Sequence, residues 1–235
     1  RTEPGSLHAQ AGSRFRLSRG AGAQMVTGAD ATRESRVLGL FAELLDYPKP
    51  GATARAAQEC RNLVVPESAE AAALLGEFAA FAERTSQDAL EEIFTATFDL
   101  NASCHPYIGY HMFGEAYKRS ALLLELKERF RVHGFDPGLE LPDHLAVLLR
   151  FLAICDDAEL RTEIVLEALL PTLEPMTVPP EPEPVEEGEE VPEVFDTGED
   201  FRRVLHALRL VLQARYGMPA ELEHIPMPDQ ELLIS

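Results

Sequence analysis

The spacing of the apolar residues limits most tightly what this chain can become. They recur mainly every three and four positions, and no run of four or more alternating apolar and polar residues is bounded by hairpin turn signals. Such a pattern buries one stripe of a helix and cannot cover the face of a sheet. It predicts an all-α fold, a single-domain helical bundle. At 235 residues, 46% of them hydrophobic, the chain can bury one core of ordinary size.

Helix boundaries follow from the punctuation. A first helix is expected from Ala31 to Leu45, with Asp30 as N-cap and Tyr47-Pro48-Lys49-Pro50-Gly51 as its stop. Two alanine-rich helices follow, Thr53 to Val64 and Pro66 to Glu83, the second with Pro66 in its first turn. Gln87 to Thr97 continues the pattern, and the polar passage Asn101 to Tyr107 reads as a loop. Glu115 to His133 is the clearest helix, with Leu122, Leu123, Leu126 and Phe130 in one stripe and Gly134 at its left-handed end. Leu141-Pro142-Asp143-His144 opens an apolar helix to Cys155, with Pro142 and Asp143 in its first turn, and Asp156-Asp157 caps another to Leu170.

Seven prolines and many glutamates between Pro171 and Pro192 predict a mobile linker, not a helix. Thr197 with Asp200 resembles a capping box that starts a last helix, whose stripe of Phe201, Val204, Leu205, Leu208 and Leu212 needs a partner on the main body. The resulting division is a core over 25–173, an acidic linker over 174–196, a C-terminal helix over 197–217 and a tail over 218–235. Residues 1–24, rich in Gly, Ser and Arg and without an apolar h-region, read as a disordered leader or an artificial extension, with Met25 as a biological start.

A net charge of −19 argues against binding nucleic acid or anionic membranes. The charge is uneven: no Lys or Arg lies between Arg161 and Arg202, and Glu174 to Asp200 holds eleven acidic residues. Cys60, Cys104 and Cys155 are sparse, odd in number and far apart, which fits a reducing, cytoplasmic setting. The longest apolar run, Leu145 to Cys155, is broken by Arg150 and falls short of the ~18 residues that span a bilayer.

Catalytic signatures are missing. There is no GxxxxGK[ST], no GxGxxG after a strand and no GxSxG. Cys104, His105, His111 and His133 crowd one third of the chain, with Asp143-His144 beyond, but no HExxH or i,i+4 His pair turns them into a metal clamp. Two passages are nevertheless odd for a purely structural role. In Phe98 to Phe113, the rings of Tyr107, Tyr110, His111 and Phe113 gather around Pro106 and Gly109. They either pack a broken helix against the core or wall a groove for an apolar peptide helix. In Leu141 to His144, helix initiation accounts for Pro142 and Asp143 but not His144. A cation is disfavoured at a helix N-terminus, so His144 is expected to be neutral or paired with a carboxylate.

These passages carry a resemblance. The order Thr97-Phe98-Asp99-Leu100, Pro106-Tyr107, Tyr110-His111-Met112-Phe113-Gly114-Glu115, Leu126-Lys127-Glu128-Arg129-Phe130 with Gly134-Phe135, and Glu140-Leu141-Pro142-Asp143-His144-Leu145 resembles the nitrate reductase delta-subunit chaperones. These are the NarJ-like branch of the TorD/DmsD redox-enzyme maturation proteins. The resemblance spans Val37 to Leu173 and is densest from Phe94 to Leu152. It implies a TorD-like helical bundle and a cytoplasmic chaperone without catalytic activity or a cofactor of its own. Its implied partner is the N-terminal twin-arginine or remnant peptide of a molybdoenzyme catalytic subunit, held until the molybdenum cofactor is inserted. Molybdenum cofactor biosynthesis proteins are further partners implied. Cys104-His105 before Pro106, and Lys118-Arg119-Ser120 where many NarJ proteins have Arg-Gly, depart from the nitrate reductase pattern and leave the client open.

A receptor for a basic, apolar peptide needs an apolar groove with acids near one end. Phe98, Tyr107, Tyr110 and Phe113 are the expected walls, with Pro106 and His144 beside them, and Asp99 and Asp143 the expected acceptors for arginine. Two other readings stand beside this one: a small metal-dependent enzyme using His105, His111, His144 and Asp143, and a stable structural subunit of an oxidoreductase complex.

Overall fold

Ten α-helices account for most of the described residues, which in this computed structural model are 28–114, 117–178 and 198–218. The expected leader, Met25, Glu115, most of the acidic linker with Thr197, and nearly all of the tail lie outside them. The fold is all-α, and no strand occurs among the described residues. Nor is any described helix long and apolar enough to cross a membrane.

The first half begins with helices that pack on their chain neighbours. Helix α1 (Gly28–Leu44) lies against α2 (Thr53–Val64), which pairs with α3 (Ala69–Arg84), and α4 (Gln87–Phe98) follows. Asp30 sits inside the first turn of α1 and is not its cap. Pro66 is likewise outside α3, because Ser68 is the true N-cap and its hydroxyl accepts the Ala71 N–H at 3.1 Å. A hydroxyl that satisfies an otherwise unpaired helix N–H outweighs the prearranged φ of a proline two residues earlier.

After a 3₁₀ turn (Ala102–Cys104) come the short α5 (Ile108–Phe113) and then α6 (Tyr117–Val132). Helix α6 ends where expected, at Gly134 with φ +65°. Only Leu126 and Phe130 of its predicted stripe are buried, while Leu122 and Leu123 are half covered. Helix α7 (Leu145–Ile154) is the centre of the molecule. Leu145 to Leu149, Phe151 and Leu152 are all buried, as a helix apolar on every side must be.

The chain then runs through α8 (Ala158–Ile164), a π turn (Val165–Leu169) and α9 (Leu170–Met176). Asp157 caps α8, as the sequence predicts, through an Oδ1 that accepts the Leu160 N–H at 3.0 Å. The start of the proline-rich stretch is corrected: Pro171 to Met176 is helical. Pro171 occupies the first turn of α9, where its missing N–H costs least, and Leu173 and Met176 are buried.

Helix α10 (Glu199–Tyr216) starts after Gly198, whose φ is +73°, and packs on α3 and α9. Phe201 inserts among Phe78, Phe94 and Phe98 at ring distances of 5.1 to 5.6 Å. Arg202 is buried and donates to the Met176 carbonyl at 3.1 Å and the Ser103 hydroxyl at 3.2 Å, which ties α10 to the end of α9 and to the 3₁₀ turn. At the opposite end of α10, the Tyr216 hydroxyl donates to Glu34 of α1, and Arg161 of α8 pairs with the same carboxylate.

Candidate functional site

The two unusual passages meet. Backbone N–H of Ile108 donates to the Asp143 carbonyl at 2.9 Å, and N–H of Leu145 donates to the Pro106 carbonyl at 2.8 Å. Tyr107 and His144 therefore face each other as an isolated antiparallel bridge. This two-bond clasp joins the residues before α5 to those before α7, and it places four of the predicted side chains, Pro106, Tyr107, Asp143 and His144, in one cluster.

Asp143 lies beneath that clasp with its side chain fully buried, and its Oδ2 accepts from Arg119 Nε at 2.9 Å. It precedes α7 and is not in its first turn; its backbone and carboxylate serve α5 and α6 instead. Its Oδ1 has no hydrogen-bond partner. The Arg119 guanidinium lies 5.4 Å from the centre of the Tyr107 ring, close enough for attraction by the ring face. Gly109 leaves room for the pair, since a Cβ there would stand 2.6 Å from Asp143 Oδ2 and 3.0 Å from Arg119 Cγ.

The outward side of the cluster is aromatic and acidic. Tyr107 donates its hydroxyl to Glu140 at 3.2 Å, and its ring packs edge-on against His144 at 5.2 Å. Burial, then the negative charge of Glu140, pushes the Tyr107 phenol up to about 12, so it remains a donor at neutral pH. The His105 ring lies tilted against both Tyr107 and Tyr110, 5.1 Å from each. His111 Nε2 is 2.7 Å from the His105 carbonyl, and burial holds the His111 pKa below its ordinary value despite that bond.

His144 has the role that helix initiation left unexplained. It is the N-cap of α7, its Nδ1 accepting the Ala146 N–H at 3.2 Å. Burial lowers its pKa, and the nearby Glu140 carboxylate, 3.7 Å from Nε2, opposes this only in part. The cap bond and burial both favour the neutral imidazole expected at a helix N-terminus.

Other predicted residues fall elsewhere. Phe98 is a core ring, 1% exposed and packed on Phe94 and Phe201, so it cannot wall a surface groove. Asp99 is exposed just after α4, and its charge reaches the Tyr107 hydroxyl. Phe113 is half-buried at the end of α5. Asp143 is closed to any ligand, since its side chain is fully buried and one oxygen is already bonded to Arg119. The residues that sequence reasoning did not place at the peptide site are Arg119, Glu140 and His105, the last weighed only as a metal ligand. Arg119 did leave a signal: a cation in the first turn of a helix opposes the dipole, and a buried carboxylate is what reverses the balance.

Among the described residues no three His, Cys, Asp or Glu side chains converge as a metal site. His111 and His144 spend ring nitrogens on the His105 carbonyl and the Ala146 N–H, respectively, and Cys60, Cys104 and Cys155 are buried free thiols. Burial, the chief influence on all three, raises their pKa values and suppresses thiolate chemistry.

Fold and cluster together define an all-helical protein whose surface carries a patch of aromatic and acidic side chains assembled on a buried ion pair. Over residues 65–175 the chain matches the family described as nitrate reductase delta subunit. Both halves of the clasp lie inside that segment. A solved structure of a proposed redox enzyme maturation protein from Archaeoglobus fulgidus is 20% identical, with 82% of this chain and 98% of that one covered and a TM-score of 0.46. No curated protein matches the sequence.

Proposed function

We propose that this protein is a cytoplasmic assembly chaperone, without catalytic activity, for a molybdoenzyme. It binds the N-terminal twin-arginine or remnant peptide of the catalytic subunit and holds that subunit while the molybdenum cofactor is inserted. The observation that carries this reading is the clasp. Two passages some forty residues apart, both inside the matched segment, build one patch of half-buried rings and exposed acids over an ion pair whose carboxylate is fully buried.

The chemistry suits a basic leader. Glu140 and Asp99 are exposed carboxylates whose charges both reach Tyr107, and its hydroxyl and ring supply a donor and an apolar wall. An arriving arginine meets these two acids, and the net charge of −19 hastens its approach. Asp143 acts indirectly, by holding Arg119 under the Tyr107 ring.

The test is a titration of the full chain with the N-terminal peptide of the molybdoenzyme catalytic subunit from the same genome. Micromolar or tighter binding is expected, weakened at least about tenfold by Tyr107→Ala or Glu140→Lys, as for an interface anchor. Equal affinity in both variants would remove the site. Co-purification with mature, cofactor-loaded enzyme would instead make the chain a permanent subunit.

A further inference from the structure

A second recess lies further along α6. Arg119, Leu122, Leu126 and Arg129 follow one face of that helix at spacings of three and four, leading from the clasp into a cleft between α6, α7, α8 and the π turn. Its apolar lining is Ile108, Leu122, Leu126, Leu148, Leu160 and Ile164.

One lining group is out of place there. Glu163 is only 8% exposed, yet among the described residues no hydrogen bond or ion pair engages its carboxylate. Arg129, the cation across the cleft, is bonded to Glu125 at 3.2 Å and acts on Glu163 only through space. The other charges facing it, Glu125 from α6, Glu167 from the π turn and Asp157 ahead of α8, are negative. Most of the residue is covered while its carboxylate keeps only a narrow contact with solvent and no partner in the chain, and burial raises its pKa. The π turn begins two residues later, a distortion often found beside binding sites.

From this geometry we propose that the cleft is a second docking site, for an amphipathic helix of a partner protein, in which Glu163 selects a lysine or arginine next to the helix's apolar face. The reading as a peptide-binding chaperone supplies only the identity of the partner. Charge complementarity argues for a basic partner. The chain's own residues 179–197 carry only negative charges, and a second copy would bring another −19 to an acidic cleft.

The experiment titrates the full chain with two labelled helical probes identical except at one position. Each carries leucines at i, i+3 and i+7, with lysine or norleucine at i+4. The lysine probe is expected to bind about tenfold tighter, the gain of one charge-assisted contact. Glu163→Gln should abolish the preference and leave norleucine-probe affinity unchanged, while Leu122→Asp should weaken both probes. The preference should also grow as pH rises and Glu163 ionises, and be flat in Glu163→Gln.

An unaltered preference in Glu163→Gln overturns the proposal. So does a lysine probe that binds only after residues 1–24 are removed, which would assign the cleft to the chain's own basic segment. Self-association broken by Leu122→Asp without probe binding overturns it as well. If the client's N-terminal peptide binds through Tyr107 but no Glu163-dependent preference exists, this site alone falls. If the preference holds and the client peptide does not bind, the cleft stands and the chaperone reading falls.

Discussion

At His144 an imidazole does what Ser, Asp or Asn usually does at a helix start. Acceptance at Nδ1 puts the proton on Nε2, which faces Glu140, and a second proton would have to take the Nδ1 lone pair that caps α7. Burial holds the folded pKa below the unfolded value of about 6.5. The unfolded chain thus binds the proton more readily, so this contribution to stability is complete above about pH 6.5 and is lost as pH falls toward the folded pKa. Urea melts at pH 7 and pH 5 should show it. His144→Asn, which keeps an acceptor at the cap, should preserve stability at pH 7 and lessen the acid loss. His144→Ala should cost about 1 kcal/mol at pH 7. The lowered pKa of His111 will leave a residual slope in both variants. An undiminished slope in His144→Asn would show that the cap is not its source.

Elements were legible where local chemistry decides them and obscure where a distant partner does. Helix α2 has the limits its sequence predicts, and Gly134 ends α6 through a conformation that only glycine adopts easily. Helix α5 is six residues long, too short for a period to show, and α7 starts late because Asp143 is drawn out to Ile108 and Arg119. Helix α9 forms in spite of two prolines because Leu173 and Met176 find the core. The candidate site was half visible. Its aromatic and acidic residues stood out by type, but the ion pair that organises them joins positions 24 apart, and nothing local to either marks the other. Gly109 is the element-scale probe of that joint. Its φ is not strained, so Gly109→Ala acts through space alone, forcing its methyl into Asp143 and Arg119. Overpacking of this kind costs about 1–3 kcal/mol. Gly109→Ala should lower the urea midpoint and weaken client peptide as Tyr107→Ala does, although residue 109 is itself buried. Wild-type peptide affinity in a destabilised Gly109→Ala protein would separate the ion pair from the surface it supports.

The molecule as a whole is closed by charge at the end of α10. Glu34 of α1 accepts from Tyr216 at 2.5 Å and pairs with Arg161, while Arg215 grips Glu67, ahead of α3, through two bonds of 2.5 and 2.7 Å. First helix, last helix and α8 are thus joined by side chains that are 11 to 19% exposed. Burial alone would raise the Glu34 pKa, but the bonds from Arg161 and Tyr216 and the charges of Arg161 and Arg215 outweigh it and leave it lowered. Its contribution is therefore present above about pH 4.3 and lost as pH falls through the folded pKa. Tyr216 has the opposite sign. Burial and its bond to Glu34 push it up to about 12, so its contribution is complete below about pH 10 and fades as pH climbs toward that value. Removing the carboxylate should be the more damaging change, because Arg161, whose Nε already lacks a partner, would be left with no counter-charge. Glu34→Gln should cost about 3 kcal/mol and Tyr216→Phe about 1 kcal/mol. The loss should be local before it is global. Hydrogen exchange should quicken first along α10, whose aromatic anchor Phe201 lies at its far end, and only later in α7 at the centre. Uniform acceleration across α7 and α10 in Glu34→Gln would mean that the charged closure stabilises the core as one unit and does not hold α10 as a separable strap.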